Sequence, residues 1–301
     1  MQFNGNTDRS SARYWNDLAE IYQRETRIST NDFHYGPLLP GDSTLGLLPP
    51  VPQRSCLEIG CGAGQNSIFL AKQGAQCTAI DISEEMLAHG RKLAAAETVE
   101  VDFQCVSMDS LEDLQHPPRP SQSSVHPSAG GDCLNSPPAE GCPKGGVGLF
   151  DLIHSSYALP FSADPAKVIS DSAALLTSGG TLLLTTGHPL YAGEWLDIGD
   201  GEDGVFLPDY FRPEPDVRMS MDDQTMNAAQ YWPIAQIAEW MFEAGLIIER
   251  LLEPQPFPII GKSEAEILEH VPYDSKDWRA LYNPLARIPV VVIFKAVKRD
   301  A

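Results

Sequence analysis

Hydrophobic side chains recur along this chain at two spacings, one typical of helices and one typical of buried strands. From Arg13 to Glu25 the apolar and aromatic residues return every three or four positions, which predicts one face of an amphipathic helix. Further along, short apolar runs alternate with helical segments. The predicted strands are 54–59, 76–80, 101–106, 150–157, 181–186, 246–252 and 290–296. This alternation predicts an α/β domain.

Local signals set the ends of several helices. A helix is predicted from Gln65 to Lys72, because Gly74 supplies a stop just beyond it. Pro233 opens another helix, whose apolar face ends before Gly245. The stretch 263–266 has the form of a capping box, in which a serine and a glutamate satisfy the first free amides of a short helix.

The composition fits one catalytic domain with insertions. A chain of 301 residues with 43% hydrophobic content is long enough to bury a full core. The net charge of -20 disfavours nucleic acid as a partner, because phosphate binding relies on clusters of Lys and Arg. The N-terminus lacks a basic and then apolar leader, and no apolar run approaches about 18 residues. We therefore expect a cytoplasmic protein that does not enter a membrane.

The six cysteines do not suggest a metal site, because none forms a C-x-x-C pair. Three of them fall in predicted strands and are expected to be buried reduced thiols, namely Cys56, Cys77 and Cys105. Cys133 and Cys142 could pair or bind a metal, but they lie in 115–148, a stretch rich in Pro, Ser and Gly. Such a composition cannot offset the entropy of ordering, so we predict a disordered insertion without a catalytic role.

The stretch from Leu57 to Asn66 joins a predicted strand to a predicted helix in the pattern E-x-G-x-G-x-G. Its three glycines let the backbone turn sharply and approach a ligand, and they leave free amides at the start of the helix. The dinucleotide pattern G-x-G-x-x-G fails, because its third glycine is replaced by Gln65. Glu58 would be costly if buried without a partner, so it is expected to face the ligand site.

In this order and spacing, the motif and the segments after it resemble the class I S-adenosylmethionine-dependent methyltransferases, over roughly residues 54–186. Asp81 ends the second strand, where an acidic side chain would hold the ribose hydroxyls, and Ile82 could cover the adenine. Residues 108–110 follow the third strand, where the family accepts the adenine amino group on an acid. The resemblance implies a Rossmann-like, doubly wound α/β sheet of seven strands with the last strand antiparallel.

The resemblance also implies the cofactor S-adenosyl-L-methionine, with S-adenosyl-L-homocysteine as the product. Two residues keep alternative interpretations: Asp81 could cap the helix that begins at Ser83, and Asp109 could be an exposed loop acid. The predicted cofactor-binding residues are Tyr14, Tyr22, Glu58, Gly60, Cys61, Gly62, Gly64, Gln65, Asn66, Asp81, Ile82, Met86, Met108, Asp109, Ser110 and Ser155. No metal site is predicted.

Two segments are predicted to cover the ligand site. Residues 1–53 form an N-terminal helical cap, in which Tyr14 and Tyr22 would face the sulfonium or would only pack. Residues 54–301 form the methyltransferase domain, whose insertion 188–231 after the fifth strand is predicted to be a substrate lid or, alternatively, an ordinary surface excursion. The side chains expected to shield an apolar or aromatic acceptor are Trp195, Phe206, Tyr210, Phe211, Met219 and Met221.

The candidate catalytic residues lie near the carboxyl ends of strands, where ligands bind in open α/β sheets. His188 is the first choice as general base, since an ordinary histidine pKa of about 6.5 suits proton transfer. It could instead bond the backbone before Pro189. His34 is the second choice, although it could instead be a histidine of a surface turn, and Tyr157 borders the acceptor. His154 is a weaker candidate, because its strand position would point it into the core.

Together these residues predict transfer of a methyl group to O, N or C of a small-molecule acceptor by in-line displacement. A base is needed only if the acceptor is protonated at neutral pH. Two alternatives stay open, namely RNA or protein methylation and a non-catalytic cofactor-binding protein. The acidic charge disfavours RNA, and the intact glycine motif with Glu58 and Asp81 disfavours a loss of chemistry. No feature of the sequence indicates an oligomeric state.

Overall fold

A seven-stranded sheet forms the centre of the molecule in the computed structural model, which describes residues 8–115, 149–219 and 226–299. Its strands in chain order are β1 (Ser55–Ile59), β2 (Gln76–Asp81), β3 (Val101–Cys105), β4 (Phe150–Ser156), β5 (Leu176–Gly187), β6 (Leu246–Leu252) and β7 (Val291–Lys298). They lie in the order β6-β7-β5-β4-β1-β2-β3, and β7 runs antiparallel to both of its neighbours. The predicted Rossmann-like sheet is thus confirmed.

Helices cover both faces of the sheet because its central strands are apolar on both sides. Leu57 and Ile59 of β1 belong to one hydrophobic core cluster, and Cys56 of the same strand belongs to a second cluster. The longer helices are α1 (Asp8–Glu25), α2 (Gln65–Lys72), α3 (Glu84–Ala96), α4 (Pro165–Leu175) and α5 (Ile234–Glu243). Shorter ones span Asp42–Leu45, Glu264–His270, Lys276–Ala280 and Tyr282–Leu285.

The helix ends follow the local signals in the sequence. Gly64 precedes α2 in the left-handed region, with a φ of 66° that favours glycine. The Ser83 hydroxyl accepts the amide of Met86 at 3.2 Å and so caps α3. The predicted capping box is present, because the Ser263 amide donates to Glu266 at 2.9 Å and the Ser263 hydroxyl accepts the Glu266 amide at 3.3 Å.

The segment before β1 is fastened to the C-terminal part of the chain. Thr26–Ile28, directly after α1, forms an antiparallel ladder with Tyr273–Ser275. The amide of Leu38 donates to the carbonyl of Tyr273 at 2.9 Å, which adds a second tie. As a consequence, α1 and the residues around Tyr273 face each other across the carboxyl ends of the strands.

The strands in the described part of the insertion after β5 form two antiparallel pairs. Glu194–Gly199 pairs with Glu202–Phe206, and Asp216–Met219 pairs with Met226–Ala229. The remainder of the predicted insertion after β3, including Cys133 and Cys142, lies outside the described residues, as does Met221.

The cysteines are only partly as predicted. Cys56 and Cys77 are buried free thiols, whereas Cys105 is exposed, because it ends the edge strand β3. Among the helices of the described ranges, none is long and apolar enough to cross a membrane.

Candidate active site

A cavity of about 390 Å³ lies where β1, β2, β3 and β4 end, beneath α1. Its wall includes Gly60 after β1, Ile82 after β2, Met108 after β3 and Tyr157 after β4. The predicted residues that line it are Tyr22, His34, Glu58, Gly60, Cys61, Gly62, Gln65, Asp81, Ile82, Met86, Met108, Asp109 and Tyr157. The cavity is therefore at the place where open α/β sheets bind ligands.

The three glycines of the motif serve different purposes, although each has a positive φ. A Cβ on Gly60 would collide with Ala158, and a Cβ on Gly64 would lie 2.6 Å from the Phe103 ring. A Cβ on Gly62 would meet no atom within 4 Å, and Gly62 lines the cavity. Gly60 and Gly64 thus permit close packing, whereas Gly62 leaves open space in the cavity.

Asp81 orders the turn and faces the cavity at the same time. One carboxylate oxygen accepts the amide of Gly62 at 2.8 Å, and the other accepts the amide of Ser83 at 2.9 Å. Burial raises the pKa of the Asp81 carboxyl, and these amides oppose the shift by stabilising the anion. Of the two alternatives that the sequence left open, the cap of α3 falls to Ser83, while Asp81 orders the turn before the helix and lines the cavity.

Glu58 is buried at the end of β1 and uses one carboxylate oxygen for Ser67. The Ser67 amide and hydroxyl both donate to that oxygen, at 2.9 and 2.6 Å. Burial raises the pKa of the Glu58 carboxyl to about 7, against the opposing effect of the two Ser67 bonds. The carboxyl lines the cavity and would be stabilised as an anion by a cation bound there.

Asp109 lines the cavity, but its carboxylate is engaged within the protein. The Ser162 hydroxyl donates to it at 2.5 Å, and the amides of Ala163 and Asp164 donate at 3.0 and 3.2 Å. These bonds hold the loop after β4 in place. Ser110, its neighbour, does not line the cavity.

Five other predicted residues also stand outside the cavity lining, namely Tyr14, Gly64, Asn66, Ser155 and His188. Tyr14 is buried with its ring 5.3 Å from that of Trp15. The Ser155 hydroxyl donates to the carbonyl of Ile59 at 2.9 Å and so ties β4 to β1. These two side chains support the wall from behind.

Asn66 is a positioning residue for His34. Its side-chain oxygen accepts the His34 amide at 2.9 Å, and its side-chain nitrogen donates to the His34 carbonyl at 3.0 Å. The same nitrogen donates to the Ser156 hydroxyl at 3.1 Å. The fully buried amide group therefore fixes the backbone of His34 against the end of β4.

His188 has both ring nitrogens occupied. Nδ1 accepts the amide of Leu190 at 3.1 Å, so Nε2 carries the proton and donates to Glu253 at 2.9 Å. Burial lowers its pKa, and Glu253 opposes that shift. Because the side chain also stands outside the cavity lining, we do not assign the base to His188; it bonds the backbone near Pro189, as the sequence allowed.

His34 lines the cavity with a neutral imidazole. Burial lowers its pKa to about 3, so the ring is uncharged at neutral pH. Its Nδ1 is buried and has no hydrogen-bond partner among the described residues. His154, by contrast, is wholly buried 5.1 Å from the Phe33 ring and does not line the cavity.

Aromatic rings form much of the remaining wall, but they are not the ones expected from the insertion. Trp195, Phe206, Tyr210, Phe211 and Met219 do not line the cavity, and Phe211 is 77% exposed. The aromatic residues that line it are Trp15, Tyr22, Tyr157, Phe161, Tyr273 and Trp278. Whether the insertion acts as a lid stays a prediction.

Tyr273, Trp278 and Arg218 are lining residues that the sequence pattern did not reveal. Tyr273 and Trp278 arrive through the ladder between 26–28 and 273–275, which carries no local sequence signal. Tyr157 has a φ of 67°, which is rare for a residue other than glycine and costs about 1–2 kcal/mol. That strained backbone sets the ring at the cavity.

The comparisons with known proteins agree with this geometry. A family model described as a methyltransferase domain matches residues 33–251. The ubiquinone biosynthesis O-methyltransferase of Xanthomonas campestris pv. campestris (strain B100) is 30% identical over 136 residues, which cover 45% of this chain and 44% of that protein. The protein of the same name from Xylella fastidiosa (strain 9a5c) is 26% identical over 200 residues, which cover 66% and 63%. The chain thus spans less than two thirds of these curated relatives.

Solved structures show the same fold. An S-adenosylmethionine-dependent methyltransferase from Mesorhizobium loti superimposes with a TM-score of 0.57 at 20% identity, covering 85% of this chain and 96% of that one. The CcbJ methyltransferase from Streptomyces caelestis gives a TM-score of 0.53 at 13% identity, covering 97% and 99%. The family match extends over well more than half of the sequence and includes the glycine turn, β2 and the ends of β3 and β4. The chain therefore belongs to the class I S-adenosylmethionine-dependent methyltransferases.

Proposed function

We propose that this methyltransferase transfers the methyl group to a hydroxyl of a small aromatic acceptor. The observation that carries the proposal is the neutral imidazole of His34, which lines the same cavity as the glycine turn and has an unpartnered buried nitrogen. A hydroxyl acceptor needs a group that takes its proton, whereas a neutral amine acceptor does not need one to react. The names of the curated O-methyltransferase relatives support the same choice.

The residues around the turn fit the cofactor. Gly62 leaves space for the adenosyl group, Asp81 offers its carboxylate to the ribose hydroxyls, and Glu58 offers a carboxyl to the amino group. Ile82 and Met108 supply apolar surface on either side of the space for the adenine. When bound, S-adenosylmethionine supplies a methyl group already activated by its sulfonium, so the protein has to align the acceptor and remove a proton.

His34 is suited to accept that proton even though the pKa of its imidazole is low. An acceptor oxygen that is bonding to a methyl group becomes strongly acidic, so a weak base is sufficient to take its proton. The uncharged ring also accepts a hydrogen bond from the acceptor hydroxyl beforehand and so orients an oxygen lone pair. Asn66 keeps the ring in position by fixing the His34 backbone.

The wall of the cavity indicates a small, flat acceptor. Tyr157, Phe161 and Trp278 present rings to it, and its volume of about 390 Å³ falls within the usual range for small-molecule sites. Flat aromatic acceptors pack well between such rings.

The proposal is tested by binding and then by transfer. Calorimetry should show that S-adenosylhomocysteine binds, and a methyl-labelled donor should then label phenols, with the product identified as a methyl ether by mass spectrometry. The matched amines (anilines) should stay unlabelled. Failure of S-adenosylhomocysteine to bind at millimolar concentration, or labelling of the amines alone, contradicts the proposal.

We expect binding of S-adenosylhomocysteine to release a proton below pH 7. The free Glu58 carboxyl has a pKa of about 7, and a bound ammonium group beside it lowers this pKa by stabilising the anion. The affinity should therefore rise with pH, by at most about tenfold per unit, up to about pH 7 and stay level above it. Calorimetry at pH 6 in two buffers of different ionisation enthalpy measures the number of protons released on binding.

The control for that measurement is a pair of variants. Glu58→Gln should abolish the proton release, whereas Glu249→Gln, at an exposed position on β6, should leave it unchanged. A wild-type protein that binds with no proton exchanged at pH 6 would show that Glu58 does not meet the amino group.

A further inference from the structure

Arg218 is the one Lys or Arg side chain among the described residues that line the cavity. It lies on the strand Asp216–Met219 of the insertion after β5, and about a third of its side chain is exposed. The acids of the lining that are not assigned to the cofactor side, Asp8, Glu25 and Asp277, are exposed. The cavity therefore carries one inward cation near its aromatic wall, in a protein with a net charge of -20.

The guanidinium of Arg218 is only partly satisfied by the protein. Its Nε and Nη2 donate to the same oxygen of Asp216, at 2.9 and 2.7 Å. Its Cζ lies 5.5 Å from the centre of the Phe161 ring, which holds the guanidinium plane against the cavity wall. Nη1 makes no hydrogen bond with the described residues, so one edge of the fork is left for another acceptor.

Two buried tyrosine hydroxyls also feel the charge of Arg218. Those of Tyr157 and Tyr231 interact with each other, and neither has a further hydrogen-bond partner in the described part of the chain. The positive charge of Arg218 opposes the rise that burial gives to their pKa values. The guanidinium edge of Arg218 and the Tyr157 side chain lie in the wall of one cavity, where they would stabilise a bound anion.

We propose that Arg218 binds a carboxylate of the methyl acceptor, so that the substrate is an aromatic hydroxy acid. This inference rests on the proposed function, because it names the substrate class of the same cavity. A carboxylate only accepts hydrogen bonds, which matches the free Nη1 and the Tyr157 hydroxyl, and the attached ring lies among the aromatic side chains. The rival occupant of Arg218 is the carboxylate of the cofactor itself.

The geometry favours the acceptor over the cofactor. Arg218 contacts Phe161, which follows β4, and belongs to the insertion that follows β5. The cofactor side is built from the turn 60–64, Asp81 and Glu58, where the start of α2 already offers backbone amides to a carboxylate. Two carboxylate sites in one cavity then serve two ligands.

The test measures binding of two matched probes to protein saturated with S-adenosylhomocysteine. 4-Hydroxybenzoate and 4-hydroxybenzamide have the same shape and differ in charge, and quenching of tryptophan fluorescence reports their binding beside Trp278. We expect the wild-type protein to bind the acid at least about tenfold more tightly than the amide, as one charge-assisted contact provides. Arg218→Gln should remove that preference and leave the amide and S-adenosylhomocysteine affinities unchanged.

Two further variants keep the test decisive. Arg218→Lys retains the charge without the planar fork and should keep part of the preference, and Arg212→Gln, an exposed arginine of the same insertion, should keep all of it. The inference is overturned if the wild-type protein shows no preference for the acid, or if Arg218→Gln weakens the binding of S-adenosylhomocysteine instead. If the wild-type protein does not bind S-adenosylhomocysteine at all, the proposed function itself is contradicted. This outcome differs from one in which S-adenosylhomocysteine binds but Arg218 does not affect the preference for the acid.

Discussion

Gly62→Asn is expected to weaken binding of S-adenosylmethionine and S-adenosylhomocysteine by at least about 100-fold, or about 2.7 kcal/mol. Gly62 has a φ of 55°, and a side chain built on it would enter the open cavity, since nothing lies within 4 Å of its added Cβ. Asparagine tolerates the left-handed region better than most residues, so the backbone suffers little. The loss therefore comes from the occupied space. Calorimetry gives the affinity, and a thermal melt reports the fold.

Two other glycines supply controls for this variant. Gly245→Asn places the same residue in the left-handed region, at a φ of 76° with open space beside it, but beyond α5 and away from the cavity. It should bind both compounds normally. Gly64→Ala should lower the melting temperature, because its Cβ would lie 2.6 Å from Phe103. Normal affinity in Gly62→Asn would mean that the adenosyl group does not occupy the space before this glycine.

His34→Ala should lower kcat by about 100-fold or more while the affinity for S-adenosylhomocysteine stays within about threefold. The reason is that the proposed function gives the substrate proton to His34, which has no assigned contact with the cofactor. His34→Gln keeps a hydrogen-bond acceptor without a basic nitrogen and should recover part of KM but not kcat. Initial rates of label transfer to a phenol found in the screen measure both constants.

The pH profile tests whether His34 is uncharged at the pH of the reaction. With a pKa of about 3, His34 stays uncharged between pH 5 and 8. The kcat of the wild-type protein should therefore show no histidine ionisation near pH 6.5, and His34→Gln should not change the shape of the pH profile. His270→Gln, an exposed histidine outside the cavity lining, serves as the control and should keep the wild-type kcat. A kcat of His34→Ala within threefold of the wild-type value would show that another group or water takes the proton.

The parts that could be predicted from the sequence are those with local causes. The glycine turn, the strand limits and the capping box at Ser263 depend on neighbours within a few positions, and most of them lie within two residues of the predictions. The exception is β5, which begins at Leu176, five residues before the predicted strand 181–186. The order of the sheet came from the resemblance to the family, since the spacing of apolar residues does not specify which strands are neighbours.

The site was less predictable where distant contacts decide it. His188 and His34 both follow sequence patterns suited to a base, and only distant contacts distinguish them: His188 bonds Glu253 outside the cavity lining, whereas Asn66 holds the His34 backbone at the cavity. The insertion shows the same limit. Its aromatic residues suggested a shield, but Phe206 and Phe211 are exposed, and the residue of its described part that lines the cavity is Arg218 on the strand Asp216–Met219.

The ladder between 26–28 and 273–275 has a consequence for how ligands come and go. Tyr22 on α1 and Tyr273 line opposite parts of the cavity, and their hydroxyls lie 2.5 Å apart. Parting these two walls breaks the short ladder, the Tyr22–Tyr273 bond and the bonds of Ser29 and Leu38 to residues 272–273, and it leaves the central sheet intact. It therefore costs far less than unfolding the domain, and we expect amides 26–28 to exchange their hydrogens before those of the central sheet.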